Sequence, residues 1–270
     1  MKHIKVTLFI SLCLCLPNWI LAQHRWEIGV FGGVSNYEGD LAPDPVLKES
    51  HPAVGIVLKR NANPYFSYTL SANYGSISGN DSNFKSLAPR GLKFDSKIIE
   101  LSTQIEFNLF KFGTPDVFLA KRFTPYVFTG LSFFHFDPTV TYGGKLYHLQ
   151  QENTEGEGLG SGSPSEYKLN QLSIPIGGGL KFNLSDRLNL LILASYRATF
   201  TSYLDDVGGL YPDKAKLVAS KGGDLSAYFS DPTGIGVTGS QRGNPDKLDW
   251  YMFYGITLSY IIPGPICPKF

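Results

Sequence analysis

Trp250-Tyr251-Met252-Phe253-Tyr254-Gly255-Ile256-Thr257-Leu258-Ser259-Tyr260-Ile261-Ile262 reads as one extended strand with two unlike faces. Side chains of a strand alternate sides. Trp250, Met252, Tyr254, Ile256, Leu258, Tyr260 and Ile262 make an apolar or aromatic face with rings near both ends. Tyr251, Phe253, Gly255, Thr257, Ser259 and Ile261 make a mixed face, small and hydroxylated in its middle. A membrane-spanning barrel strand needs this division: lipid on one side, a packed and partly polar interior on the other, rings at the water boundary. Pro263-Gly264-Pro265 then stops it, because proline has no amide hydrogen to give to a ladder.

Seven earlier stretches repeat the pattern. The first covers about Trp26 to Val34, with Trp26, Ile28, Val30 and Val34 outward, and Glu27 and the glycines inward. The second covers about Pro52 to Arg60, with Val54, Ile56 and Leu58 outward and Lys59 inward. In the third, Phe66, Tyr68, Leu70, Ala72 and Tyr74 alternate with Ser67, Thr69, Ser71, Asn73 and Gly75. The fourth, about Lys97 to Leu109, turns Glu100, Ser102, Gln104, Glu106 and Asn108 inward. The fifth, about Thr124 to Phe136, is apolar on both faces and leaves its register open. The sixth turns Gln171, Ser173, Lys181 and Asn183 inward, and the seventh, about Leu188 to Phe200, carries Arg197 on its less apolar face.

The count of eight predicts an all-β fold: an eight-stranded antiparallel transmembrane β-barrel with long extracellular loops. An even count brings both termini to one side, periplasmic by the usual plan. The outer connections, 36–50, 79–94, 138–168 and 201–249, are then all long, while 61–65 and 184–187 are short. The connection 110–122 is the exception, long for a periplasmic turn. The stretch 155–163, rich in Gly, Glu and Ser, predicts a mobile loop. A soluble sandwich or lipocalin-like barrel fits less well, since it would carry charge where these strands carry Leu, Ile, Phe and Tyr.

Among the 270 residues 17% are charged and 14% aromatic, and the net charge of +1 argues against a nucleic-acid partner. Lys2 and Lys5 followed by the apolar run Val6 to Leu16 predict a signal peptide over 1–22, cleaved after Ala22, with the barrel domain over 23–270 and a periplasmic tail at 263–270. A retained anchor is disfavoured by Pro17 and Asn18. A lipoprotein site at Cys13 or Cys15 is disfavoured by the large leucine before each. Cleavage leaves Cys267 as the lone thiol, free or paired with another molecule.

Eight strands enclose an interior that side chains can fill. Glu27, Lys59, Glu100, Glu106, Lys181 and Arg197 all fall on inward faces, which predicts a paired ionic plug in preference to an ion path or open pore. His135 and Asp137 near plentiful serines raise the thought of a lipid-modifying enzyme, but no spacing joins a nucleophile to a base. Asp205, Asp206, Asp213, Asp224 and Asp231 lack the alternate-oxygen spacing of a calcium loop and read as solvated loop acids. Gly156, Gly158, Gly160 and Gly162 lack the strand before and helix after that a phosphate cradle requires. No cofactor is expected. Cys267, just past the last strand, together with Lys111, Lys121 and Arg122 of the long turn, predicts a docking surface for a periplasmic partner.

The opening Trp26-Glu27-Ile28-Gly29-Val30-Phe31-Gly32-Gly33-Val34-Ser35-Asn36-Tyr37-Glu38-Gly39-Asp40-Leu41 and the ending Cys267-Pro268-Lys269-Phe270 resemble PorG-like outer-membrane β-barrel proteins of the Bacteroidetes type IX secretion system, the DUF6089 family. The resemblance implies a structural role without an enzymatic site. It implies a barrel whose periplasmic side contacts a ring built of a lipoprotein and a companion subunit, serving protein export and, in gliding species, motility. Cys267 and the periplasmic rim are the positions at which contact would transfer; Lys269 and Phe270 beside Cys267 are candidate contacts, and the lone Cys267 thiol offers an intermolecular disulfide to the partner. The rival readings are a passive envelope barrel like the small OmpA- or OmpW-like proteins and an outer-membrane lipid-modifying enzyme.

Overall fold

A computed structural model describes residues 25–113, 119–159, 163–220 and 222–263. The predicted signal peptide 1–22 and the tail residues Cys267, Lys269 and Phe270 lie outside the described residues.

Nine strands are described: β1 (Arg25–Glu38), β2 (His51–Asn61), β3 (Phe66–Asn80), β4 (Lys93–Asn108), β5 (Phe123–Tyr142), β6 (Lys145–His148), β7 (Asn170–Ser185), β8 (Leu188–Thr199) and β9 (Trp250–Ile261). Eight of them close a ring of antiparallel neighbours in the order β4-β3-β2-β1-β9-β8-β7-β5, with β5 returning to β4. β6 lies outside the ring as a hairpin extension of β5. Gly143 and Gly144, both at positive φ, make its two-residue turn. The first strand pairs with the last from Glu27↔Ile261 to Glu38↔Trp250, so the start of β1 and the end of β9 lie at one end of the barrel, here the terminal end.

The outer surface is a continuous apolar belt. Ile28, Val30, Val54, Ile56, Leu101 and Leu131 are each more than half exposed, and Ile56 reaches 64%. The opposite faces of the same strands are buried; β4 alternates without a break from Lys93 to Asn108. Bare hydrocarbon on this scale is stable only against lipid, which makes this a transmembrane barrel of outer-membrane type. Ile56→Lys is therefore expected to cost about 2–4 kcal/mol if Ile56 lies near the bilayer midplane. The urea midpoint of the vesicle-folded protein checks this. A change within about 0.5 kcal/mol, normal for a water-facing site, would deny the belt its lipid.

Two expectations need revision, and one open register is set. Of the β1 glycines only Gly29 and Gly33 face inward, while Gly32 faces out. At Gly33 a Cβ would stand 2.1 Å from the Tyr254 carbonyl oxygen, so only glycine permits that strand approach. Met252 is fully buried although it falls on the outward face. It stands opposite Asn36, whose amide is held by the Val46 carbonyl and the Ser50 hydroxyl of the folded-back β1–β2 connection. The register of β5, open in the sequence, is set by Asn108↔Tyr126 and Glu100↔Phe134. Val127, Leu131 and Phe133 then face lipid, and Tyr126, Phe128, Phe134 and Phe136 face in.

The long connections fold together into a crown at the far end. It contains α1 (Leu149–Glu152), α2 (Lys214–Val218) and α3 (Gly223–Ser230). Tyr37, Leu41, Ile77, Phe94, Phe136, Leu204 and Phe229 belong to its apolar core. β5 is apolar on both faces for two reasons: Phe136 packs against crown hydrocarbon, and Tyr126 and Phe128 line the barrel interior as rings, with Lys181 Nζ 4.4 Å from the centre of the Tyr126 ring. The mobile loop expected over 155–163 is also revised where it is described, because Glu155 and Glu157 are buried.

Candidate functional site

Alternation places all six predicted interior charges inside, each at most 3% exposed. They form two layers. Nearer the terminal end, Glu106 from β4 accepts from Lys59 Nζ of β2 at 2.8 Å and from Lys181 Nζ of β7 at 2.6 Å, both on Oε2. Its Oε1 accepts from Thr69 Oγ1 at 2.5 Å, and Lys181 also donates to Asn108 Oδ1 at 2.7 Å. Glu27 of β1 is held by neutral donors: Asn61 Nδ2 at 2.6 Å, Asn189 Nδ2 at 3.1 Å and Ser259 Oγ at 2.6 Å.

Nearer the crown, Arg197 of β8 grips Glu100 of β4 two-handed, Nε to Oε2 at 2.8 Å and Nη2 to Oε1 at 2.9 Å. Tyr251 and Asn73 complete the carboxylate at 2.7 and 2.8 Å. The Arg197 guanidinium also lies 4.6 Å from the centre of the Phe253 ring. Between the layers is a cavity of about 50 Å³, lined by Lys59, Arg197, Ser195, Phe128 and Phe253 among others. That is room for a few waters and for no larger solute. Alternation made the six charges legible. Their neutral partners Asn73, Asn108 and Tyr251 carry the same inward signal, and a partner search along it would have found them.

The crown holds a second charged cluster, which composition did not reveal. Asp205 and Asp206, read as solvated, are each 1% exposed. Asp205 accepts from the Tyr37 hydroxyl at 2.5 Å and from the Leu41 and Val207 amides. Asp206 accepts from Thr154 at 2.5 Å and Tyr167 at 2.6 Å. Arg242 donates to Glu155 at 3.0 Å, and Arg90 grips Asp81 two-handed at 2.7 and 2.8 Å. Burial raises Asp205, Asp206 and Glu157 to about 7 each. Neighbouring Asp40 adds to the rise at Asp205, and Asp206 to that at Glu157. Burial, then Asp205, also pushes Asp249 well above the carboxylate range. The other three acids serve local structure or none: Asp213 caps α2, Asp231 accepts three amides of the turn after it, and Asp224 is exposed. No group of three or more His, Cys, Asp or Glu among the described residues converges as a metal site.

Among the described residues, the histidines have the following partners. His135 contacts Asn170 at 3.0 Å, and His148 contacts Asp137 at 2.7 Å. His51 stands 2.7 Å from Ser78, but the Ser78 hydroxyl donates to Glu49. In that order the serine proton is committed to the carboxylate and the imidazole is left as the donor.

At the terminal end the β4–β5 connection brings Lys111, Lys121 and Arg122 together. Phe112 bridges to Lys121, the Lys121 amide donates to the Lys111 carbonyl at 2.7 Å, and Arg122 follows in the chain. Lys121 Nζ lies 4.3 Å from the centre of the Phe110 ring. Cys267, Lys269 and Phe270 lie outside the described residues.

A family model described as a domain of unknown function, DUF6089, matches residues 5–238. No curated protein matches the chain. Among solved structures, the chain is similar to the N-terminal β-barrel domain of Pseudomonas aeruginosa OprF, with 12% identity, 89% of this chain and 98% of that one covered, and a TM-score of 0.37. Neisserial surface protein A gives 8% identity, coverage of 88% and 97%, and a TM-score of 0.43. Ail of Yersinia pestis gives 9% identity, coverage of 89% and 99%, and a TM-score of 0.42. The barrel assignment rests on the closed strand register and the exposed belt.

Proposed function

We propose, from the premise that this chain belongs to the DUF6089 family, that it is a structural component of the type IX protein secretion system. It sits in the cell outer membrane with both termini periplasmic and contacts the periplasmic ring of a lipoprotein and its companion subunit. The observation that carries the reading is the filled interior. Charges paired at 2.6–2.9 Å between facing strands fill the interior among the described residues, which supports the two ends of the barrel as its working surfaces. The resemblance of the barrel's opening and ending stretches to PorG-like proteins supports the type IX system as the assembly those ends serve. Lys111, Lys121 and Arg122, together with Cys267, Lys269 and Phe270, form the contact.

Affinity purification of the tagged protein from gently extracted outer membranes, with and without reductant, tests this. Recovery of the ring lipoprotein is expected, partly in a higher-mass band that reductant and Cys267→Ser both remove. A monomeric barrel with no periplasmic partner would overturn it. Gene deletion separates the rivals: lost secreted cargo for this role, envelope fragility for a passive OmpA- or OmpW-like barrel, altered lipid for a lipid-modifying enzyme.

A further inference from the structure

We infer that the rim at the terminal end of the barrel is a binding surface for anionic phospholipid headgroups, built from cations that stand against lipid-facing rings. The register Trp26↔Arg60↔Tyr68 places the outward-facing Arg60 between two exposed aromatic neighbours. Its guanidinium lies 5.7 Å from the centre of the Trp26 ring. On the β8–β9 side, Arg187 Nη1 donates to the Tyr260 hydroxyl at 3.3 Å. On the β4–β5 side, Lys121 stands over Phe110. Each cation is solvent-exposed, and each ring is more than a third exposed on the outer surface.

The charge balance of this rim, among the described residues, is one-sided. Among the described residues outside the interior, Arg60, Lys111, Lys121, Arg122 and Arg187 face a single acid, Asp186. At the crown end the same strands alternate sign, with Lys93 and Lys97 beside Asp95, and Asp137 directly across from Lys97. Aromatic rings settle at the headgroup level, so a cation resting on such a ring is held at phosphate depth. A guanidinium there can take a phosphate with two parallel N–H donors. Membrane phosphate is therefore a better match than a soluble anion, which the rings would not recognise. The surface does not depend on the secretion role or on which leaflet it meets.

Native mass spectrometry of the full-length protein, released from nanodiscs of equal phosphatidylglycerol and phosphatidylcholine with matched acyl chains, reads this directly. The wild type is expected to retain phosphatidylglycerol preferentially. Arg60→Gln with Arg187→Gln should lower that preference by roughly fivefold per cation removed, with the heat-modifiable band of the folded barrel unchanged. Equal retention of the two lipids by the wild type would overturn the proposal and leave the rim to protein contacts. It would also be overturned by an undiminished preference in the folded double variant, or by inorganic phosphate displacing the lipid at equimolar concentration. Should the double variant fail to fold, the wild-type competition decides alone.

Discussion

Replacing Glu106 by Gln is expected to cost about 3–5 kcal/mol of barrel stability, the penalty for leaving buried charge without its partner. Two ammonium groups, Lys59 and Lys181, converge on the single oxygen Oε2, and all three side chains are almost fully buried. Glutamine keeps the shape but removes the only carboxylate among the described residues that bonds either lysine. Two cations would then face each other across a neutral amide. Urea titration of the vesicle-folded protein, followed through Trp26 and Trp250, would read the loss. A sharper check is the triple variant Lys59→Met, Glu106→Gln, Lys181→Met. Well-packed apolar groups in place of a buried ion pair are near neutral in stability. The triple should therefore recover most of what the single loses. A single variant within 1 kcal/mol of wild type, or a triple worse than the single, would mean that the network is not what the barrel closes around. Glu27 offers the contrast, because its partners are neutral amides and a hydroxyl and no lysine is stranded when it is changed.

The barrel was legible because lipid and a packed interior impose opposite demands at every second residue. β4 shows this best: Glu100, Ser102, Gln104, Glu106 and Asn108 are buried while the residues between them are exposed, as alternation predicts. The signal fails where those demands stop. Phe136 faces the crown core, while Tyr126, Phe128 and Phe134 meet the interior charges as rings and not as polar partners, so neither face of β5 stood out. In the crown no period exists, and proximity comes from long-range folding. Asp205 meets Tyr37 from 168 residues away, and Arg242 meets Glu155 across 87. Read by composition, acids in a Gly-rich and Pro-rich loop look solvated. Only the folded crown shows that Tyr37, Leu41 and Thr154 remove that solvent. Lys111, Lys121 and Arg122 were legible as a cluster because they flank one connection. The Arg60–Trp26 pair was hidden until the β1–β2 register was known, because the two lie 34 positions apart in sequence.

That same crown cluster makes stability depend on pH in an unusual direction. Asp205, Asp206 and Glu157 have folded values near 7, above the ordinary range for free carboxyls. The folded crown therefore binds more protons than the unfolded one between about pH 4 and pH 7, and stability falls as pH rises through that window. The fall that belongs to these three groups ends near pH 7. One such group contributes on the order of 3 kcal/mol across the window, and neighbouring acids that share protons contribute less than their sum. Arg90 and Lys247 oppose the rise near Asp40 and Asp249, and Arg242 opposes it at Asp206, but burial outweighs them. Hydrogen exchange of the 201–249 segment, corrected for intrinsic rate, should show protection falling from pH 5 to pH 8, with the barrel strands far less affected. Asp249→Asn gives the internal control. Asp249 accepts the Leu204 amide through Oδ2, while Oδ1 has no hydrogen-bond partner. An amide there keeps the first contact and removes a carboxyl that burial and Asp205 force to hold its proton in the folded crown. The variant should gain protection at pH 8 over wild type and show a shallower slope. Protection that rises with pH in the wild type would mean that these acids are ionised in the folded crown, with Arg90 and Arg242 outweighing burial after all.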